Sequence, residues 1–289
     1  MSDTEYLAAK TIDEAVDAHA NANGSARFLA GGTDLLVQIK SGIRKPNLVI
    51  DIKKIVELNS IEEVFENEFV VGASVSGANL NRNSKFAKLW PGVLEAFRLI
   101  GSEQIQGRAS LGGNLCNGSP AGDSVPALIA AGCKAVIAGP EGRKEIPIEN
   151  FHLGPGKTIL ENGQMLVSLK FPKRNKNSSD AYLRMTPRTE MDIAVVGCGV
   201  NISMVNGICT NARVSLGAVA PTPLLIKEAT EIMVGSSLDE YTLDKVSKIC
   251  MDACNPINDK RGTIDYRTKV AGVLFKRTTH IAVDRIIGN

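Results

Sequence analysis

Two glycine pairs constrain this chain more than any other feature. The first lies in Leu29-Ala30-Gly31-Gly32-Thr33-Asp34-Leu35-Leu36, the second in Ser110-Leu111-Gly112-Gly113-Asn114, about eighty residues later. Arg27 to Ala30 reads as the end of a buried strand and Gly31-Gly32 as a tight turn; Thr33 or Asp34 can cap a helix that runs on from Leu35 to Lys40. After the second pair come a run of small residues, a single acid at Asp123, and an apolar helix-forming segment, Val125 to Ala131. Without a Cβ, backbone N–H groups can approach a ligand closely, and several such groups ahead of a helix suit phosphate. A lone Gly-Gly is usually only a turn. Two of them, with an acid placed to accept hydrogen bonds from a sugar hydroxyl, point to a ligand carrying two phosphates. The site is of neither common nucleotide type. No Gly-x-Gly-x-x-Gly follows a strand (Gly197-Cys198-Gly199 leads into Val200-Asn201-Ile202), and no Gly-x-x-x-x-Gly-Lys-Ser/Thr loop occurs.

Several other function classes recede on composition. A net charge of +2 is too near neutral for a nucleic-acid binder. No apolar run approaches the ~20 residues that span a bilayer, and Met1 to Glu5 lacks the basic and apolar regions of a signal peptide. The cytoplasm is the expected compartment. The six cysteines are scattered and read as reduced core thiols. Cys250 and Cys254 share a helix face, but the second pair that a zinc site needs is missing nearby. His19, His152 and His280 fall outside every motif.

The remaining pattern is mixed. Thr11 to Asn21 reads as a helix with a capping box from Thr11 and Glu14. Strands are expected at Leu48–Ile52, Phe69–Ala73 and Met165–Phe171, with a hairpin at Ala135–Ile148. Helices at 79–88 and 93–100 are broken by Pro91-Gly92. The polar run Lys173 to Asp180 reads as a solvated linker, which divides the chain into 1–176 (with parts 1–57 and 58–176) and 177–289. Beyond it lie strands turning at Asn206-Gly207, then helices at 226–234, 243–254 and 265–287. The last has an apolar stripe at Val270, Val273, Leu274, Ile281 and Ile286, and its basic residues, Arg285 among them, read as a solvated face or a subunit contact. Strands followed by helices make an α+β fold.

Four ordered segments resemble a known family. The two glycine loops are similar to the two FAD-binding motifs of the flavoprotein (medium) subunit of molybdenum hydroxylases, the family of xanthine dehydrogenase and aerobic carbon monoxide dehydrogenase. Asp192-Ile193-Ala194-Val195-Val196 resembles the start of that family's C-terminal domain, and Arg261 to Arg267 with Lys269 to Leu274 resembles its closing signature. The resemblance implies a vanillyl-alcohol-oxidase-like (PCMH-type) FAD-binding domain followed by a smaller α+β domain. It implies noncovalent FAD, with the pyrophosphate on Leu29 to Leu35 and on Ser110, Leu111, Gly112, Gly113 and Asn114. Asp123 would contact the adenosine part, and Ile100, Gly101, Leu166 and Arg184 would make further contacts; Arg184, or an N–H pointed at the flavin, would favour its anionic reduced form. Ile100 stands where some relatives have an aromatic, and Thr33-Asp34 where the carbon monoxide enzymes have His-Ser.

The same resemblance implies an oxidoreductase subunit that does no substrate chemistry itself and has no catalytic residue of its own. A large partner would carry the molybdenum cofactor and a small one two [2Fe–2S] clusters, in an (αβγ)2 assembly. FAD on this chain would collect electrons and deliver them to an external acceptor. Two other classes stay open. A stand-alone FAD-dependent oxidase or dehydrogenase of the vanillyl-alcohol-oxidase type would turn over substrate as an isolated chain. An assembly protein would stay colourless with FAD.

Overall fold

The computed structural model describes residues 4–189 and 191–288. Residues 1–3, part of the N-terminal segment read above for a targeting signal, lie outside it.

The described residues build three large sheets, with a further two-stranded ribbon of His152–Gly154 and Lys157–Thr158. Strands β1 (Glu5–Ala8), β2 (Ala26–Leu29) and β3 (Leu48–Asp51) form a small parallel sheet with β3 in the middle. Parallel neighbours need crossovers. These are the helices Ile12–Asn21 and Leu35–Lys40. The first is capped by the Thr11 hydroxyl, which accepts the Glu14 N–H, while Glu14 reaches back to the Lys10 N–H. That is the expected capping box with its return bond shifted, onto Lys10 just before the capping Thr11.

The second sheet is antiparallel and five-stranded. It uses β4 (Ile61–Phe65), β5 (Glu68–Gly72), β6 (Lys134–Gly139), β7 (Gly142–Pro147) and Met165–Phe171, in the order β4, β5, Met165–Phe171, β6, β7. Its core takes in Phe69, Phe86, Trp90, Phe97 and Phe171. The helical stretch across one face is three helices, 77–82, 84–89 and 91–98, rather than two. Asn83 ends the first and caps the second, and Pro91 opens the third. Pro91 therefore starts a helix where sequence reading had it break one; its missing N–H costs nothing in a first turn.

The third sheet is antiparallel, running Ser178–Met185, Val196–Val205, Ile208–Gly217 and Leu224–Leu225 in that order. Asn206 and Gly207, both left-handed, make the tight turn between the two long strands. Helices Lys227–Met233 and Ile264–Ile287 cover this sheet, and Glu240–Asp252 packs against those two. The last helix buries Ala271, Leu274, Phe275, Thr278 and Ala282. Val273, in the stripe read from sequence, is 40 % exposed. The buried face mixes the bulky Leu274 and Phe275 with small residues, and Gly272 lets the helix come close to Ser247 and Met251 of Glu240–Asp252. The closing signature has a packing role: buried Arg267 donates to the Val195 carbonyl at 2.6 Å and pairs with Asp259 at 2.7 Å. It thereby joins two motifs more than seventy residues apart.

The run Lys173 to Asp180 departs from the solvated linker read in the sequence. Arg174 and Asp180 are both buried and pair at 3.2 Å, and the Arg174 guanidinium lies 4.3 Å from the centre of the Trp90 ring. Asp180 also accepts the Val93 N–H at 3.1 Å. Arg285 is no purely solvated residue either: it donates to the Asp180 carbonyl at 2.6 Å and pairs with Glu95. Buried charges persist where they are paired, and here the pairs tie the second sheet's helices to the third sheet.

Candidate functional site

The two glycine loops meet. The loop after β2 passes over the chain just before the second loop so closely that a Cβ on Gly31 would sit 2.0 Å from the Arg108 carbonyl oxygen. Gly32 takes φ +78°, a left-handed turn that L side chains resist, and sends the chain into Leu35–Lys40. In the second loop the Ser110 hydroxyl accepts the Gly113 N–H at 3.0 Å and starts the helix Leu111–Cys116. A Cβ on Gly112 would fall 2.5 Å from the Ala73 carbonyl oxygen. One on Gly113 would meet only the Ser110 hydroxyl, at 3.1 Å.

Asn117 bridges the loops. Its side chain accepts from Gln38 at 3.2 Å and donates to Asp34 at 3.4 Å. Asn114 holds the second loop to the following helix, Ser124–Ala131, by accepting the Ser124 hydroxyl at 2.7 Å. All eight residues of that helix are buried, so it is a firm base.

Between the loops lies a cavity of about 630 Å³, within the range of sites for large organic ligands. Ala30 to Leu35 line it from one side. Ser110, Gly112, Gly113 and Asn114 line it from the other, with Ile100 and Leu166. Five residues expected at the site stand elsewhere. Leu29 and Leu111 are buried in the packing beneath the loops. Gly101 and Arg184 line a second cavity of about 550 Å³. Asp123 lines neither.

Asp123 and Arg184, read from sequence as separate contacts at different parts of one ligand, are one unit. Arg184 donates to Asp123 at 2.7 Å and the Tyr182 hydroxyl donates to its other oxygen at 3.0 Å. Both charged side chains are almost wholly buried. Burial raises the Asp123 carboxyl to about 6, against the opposing pull of Arg184 and Tyr182. The Arg184 charge toward its surroundings is thus largely balanced at neutral pH.

The cavity also collects residues that no motif flagged. Arg27, Arg44 and Lys157 set three cations against the carboxylates Asp34 and Glu161. Burial raises the Asp34 carboxyl from its ordinary value. His19 lies in the wall, stacked on Phe28 with ring centres 4.5 Å apart. Its Nδ1 accepts the Gly163 N–H at 3.0 Å, so the neutral ring carries its proton on Nε2. Burial and then Arg27 lower its pKa. Cys116 lines the cavity as well and is exposed there. Asn117 and Cys116 follow the second loop directly and proximity could have flagged them. It could also have flagged Arg27, on the strand that leads into the first loop; Arg44, Lys157 and His19 could not be found that way, because separate elements carry them.

This is a two-loop cleft built to hold an extended anionic ligand over close-packed backbone. Comparison with known proteins agrees. The model of the FAD binding domain in molybdopterin dehydrogenase matches residues 2–174, and that of the CO dehydrogenase flavoprotein C-terminal domain matches 181–282. The chain is 29% identical over 279 residues to the xanthine dehydrogenase FAD-binding subunit of Escherichia coli O157:H7, covering 96% of this chain and 95% of that one. It is 32% identical to the carbon monoxide dehydrogenase medium chain of Afipia carboxidovorans, covering 97% of each. Carbon monoxide dehydrogenase from Hydrogenophaga pseudoflava, in the structure lacking the Mo-pyranopterin moiety, superimposes with a TM-score of 0.94 at 31% identity over 98% of both chains. The chain belongs to the family of FAD-binding medium subunits of molybdenum hydroxylases, the electron-transferring flavoproteins of such oxidoreductase complexes. Among the described residues, no helix is long and apolar enough to cross a membrane.

Proposed function

We propose that this chain holds FAD noncovalently in the two-loop cavity and serves, in a cytoplasmic (αβγ)2 complex, as the exit for electrons. A small partner with two [2Fe–2S] clusters supplies the electrons. A large partner with the molybdenum cofactor oxidises the substrate. The reading rests on one observation above all: both glycine loops, with a surplus of cationic side chains, face a single cavity of about 630 Å³.

The residues fit the group. At Gly113 a Cβ would intrude where only the Ser110 hydroxyl stands nearby, leaving a cradle for a backbone-bound pyrophosphate. Gly113 supplies close-approach backbone, while Arg27, Arg44 and Lys157 supply compensating charge. Ile100 and Leu166 offer apolar walls for a ring system. Bound FAD contributes the ability to accept electrons singly and release them in pairs. The protein's share is to bind, orient and exclude. The Asp34–Asn117–Gln38 bridge keeps the loops at fixed separation. Asp123, Tyr182 and Arg184 set a nearly balanced charge at the edge of the third sheet. No side chain is assigned as an acid or base. We place the division between the FAD-binding part and the C-terminal domain at 176/177, with a further division at 57/58.

The test is to purify the chain from its host under mild conditions, then record the absorption spectrum, flavin released on denaturation, iron and molybdenum. Released FAD with iron, molybdenum and two further polypeptides is the expected result. A lone yellow chain that turns over substrate, or a colourless one, overturns it.

A further inference from the structure

His19 is the residue of the cavity wall whose bonding the fold leaves incomplete. It stands in the last turn of Ile12–Asn21 and lines the cavity with Phe28, Arg27 and Arg44. Its ring is fixed from two directions. Phe28 stacks on it with the two planes 14° apart. The Gly163 N–H reaches its Nδ1 from a turn in which Gly163 has φ +78° and Asn162 donates to the Ala20 carbonyl at 2.9 Å. With Nδ1 occupied as an acceptor, the neutral ring carries its hydrogen on Nε2. Burial and the nearby Arg27 both oppose a second proton. Among the described residues, nothing accepts the Nε2 hydrogen. The fold thus holds a donor rigidly in the wall of a ligand cavity, on an aromatic pair, and gives it no partner.

We propose that His19 is a specificity-determining residue for the cofactor: its Nε2–H donates to a ring nitrogen of the adenine of FAD, which stacks on the His19–Phe28 pair. The proposal rests on the functional reading above. FAD joins two ring systems through a pyrophosphate, so a pyrophosphate held between the loops leaves one ring system on each side of it. The cavity offers two walls for them. Ile100 precedes the second loop and, with Leu166, forms an apolar wall that has no side-chain donor. Phe28 lies on the strand Ala26–Leu29, which runs into the first loop, and His19 packs on it. This second wall has what a purine needs: a flat aromatic surface on which a base stacks, and one donor to match its acceptor nitrogens. Arg27 and Arg44 stand beside it with the positive charge that a neighbouring phosphate needs. A site built around a hydrogen bond discriminates against a ligand that lacks the matching group. His19 therefore favours FAD over FMN, which has the flavin and a phosphate but no base.

The test titrates the flavin-free full-length chain with FAD and with FMN, followed by flavin fluorescence, and with ADP, followed by calorimetry. His19→Asn keeps an oxygen for the Gly163 N–H but removes the Nε2 donor. His19→Gln restores a donor at that reach, and Phe28→Leu removes the aromatic surface while keeping an apolar side chain. In His19→Asn, FAD and ADP should each bind about tenfold more weakly, the effect of one lost hydrogen bond with part of a stack. FMN affinity and the melting temperature of the flavin-free chain should stay at the parental values. His19→Gln should recover most of the loss, and Phe28→Leu should weaken FAD and ADP but not FMN. Parental FAD affinity in His19→Asn overturns the proposal. So does weakened FAD with parental ADP affinity. So does an equal loss for FAD and FMN, which would put the isoalloxazine on His19 or make its role structural. A parental chain that binds no FAD instead removes the functional reading, and the proposal with it.

Discussion

The two glycine loops look alike in sequence but use their glycines differently. In the first, Gly31 lets one stretch of chain pass over another, with the Arg108 carbonyl where its side chain would be, and Gly32 supplies a left-handed turn. In the second, Gly112 makes room for the Ala73 carbonyl, whereas Gly113 faces space. Only Gly113 of the four is bare toward the cavity without an evident packing reason. The helices that follow differ as well. Leu111–Cys116 buries Leu111 and Leu115 in the core, while Leu35–Lys40 buries nothing. The second loop is therefore anchored by a helix that reaches the core, and the first leads into a helix with no buried residue. A shared motif thus marks where backbone must come close, and the surroundings decide to what.

The largest effect should come from Gly31→Ala. Two backbone segments cannot both yield to a Cβ placed 2.0 Å from a carbonyl oxygen, so stability should fall by roughly 4 kcal/mol or more, with FAD lost as well. A thermal transition near the parental one would break the contrast between the loops.

Asp123→Asn should cost about 3–5 kcal/mol, because it strands the buried Arg184 charge. Asp123→Asn/Arg184→Met should recover part of that loss in denaturant titrations. The same variant tests the titration. A folded carboxyl raised from its ordinary value to about 6 holds its proton more tightly than the unfolded one. Its contribution to stability is therefore full below the ordinary carboxylate range and fades as pH rises through about 6. The difference in melting temperature between parent and variant should change across pH 4 to 7 and flatten above it.

Gly32→Ala should cost about 1–2 kcal/mol through its positive φ, measured by denaturant unfolding. Gly113→Ala should separate binding from folding. FAD affinity should drop about tenfold, or about 1.4 kcal/mol, while stability changes by less than ~1 kcal/mol, since alanine also favours a helix. Equal losses of affinity and stability would erase the distinction drawn between Gly31 and Gly113. Asn117→Ala should have the smallest effect, about 0.5–1.5 kcal/mol for the bridge between the loops, seen as a modestly faster release of FAD.

Local elements were largely readable. The capping box at Thr11, the hairpin turn at Asn206-Gly207 and the strand Met165–Phe171 each depend on neighbours a few residues away, and the structure has all three. The errors have a common cause. Lys173 to Asp180 reads as solvated because it is polar, yet Arg174 and Asp180 are buried against Trp90, more than eighty residues back. Val273 reads as core by hydrophobicity, yet it is 40 % exposed while Ala271, Phe275 and Ala282 on the same helix are fully buried.

From the sequence alone came the paired glycine loops, the α+β class and the family, since these rest on residue types in a fixed order. Tertiary structure alone decided which glycines face the cavity, that Asp123 and Arg184 neutralise each other, and that Arg27, Arg44, Lys157 and His19 share a wall. Close approach, charge balance and burial are properties of distances across the fold. Residues far apart in the chain acquire them only when the three sheets have packed.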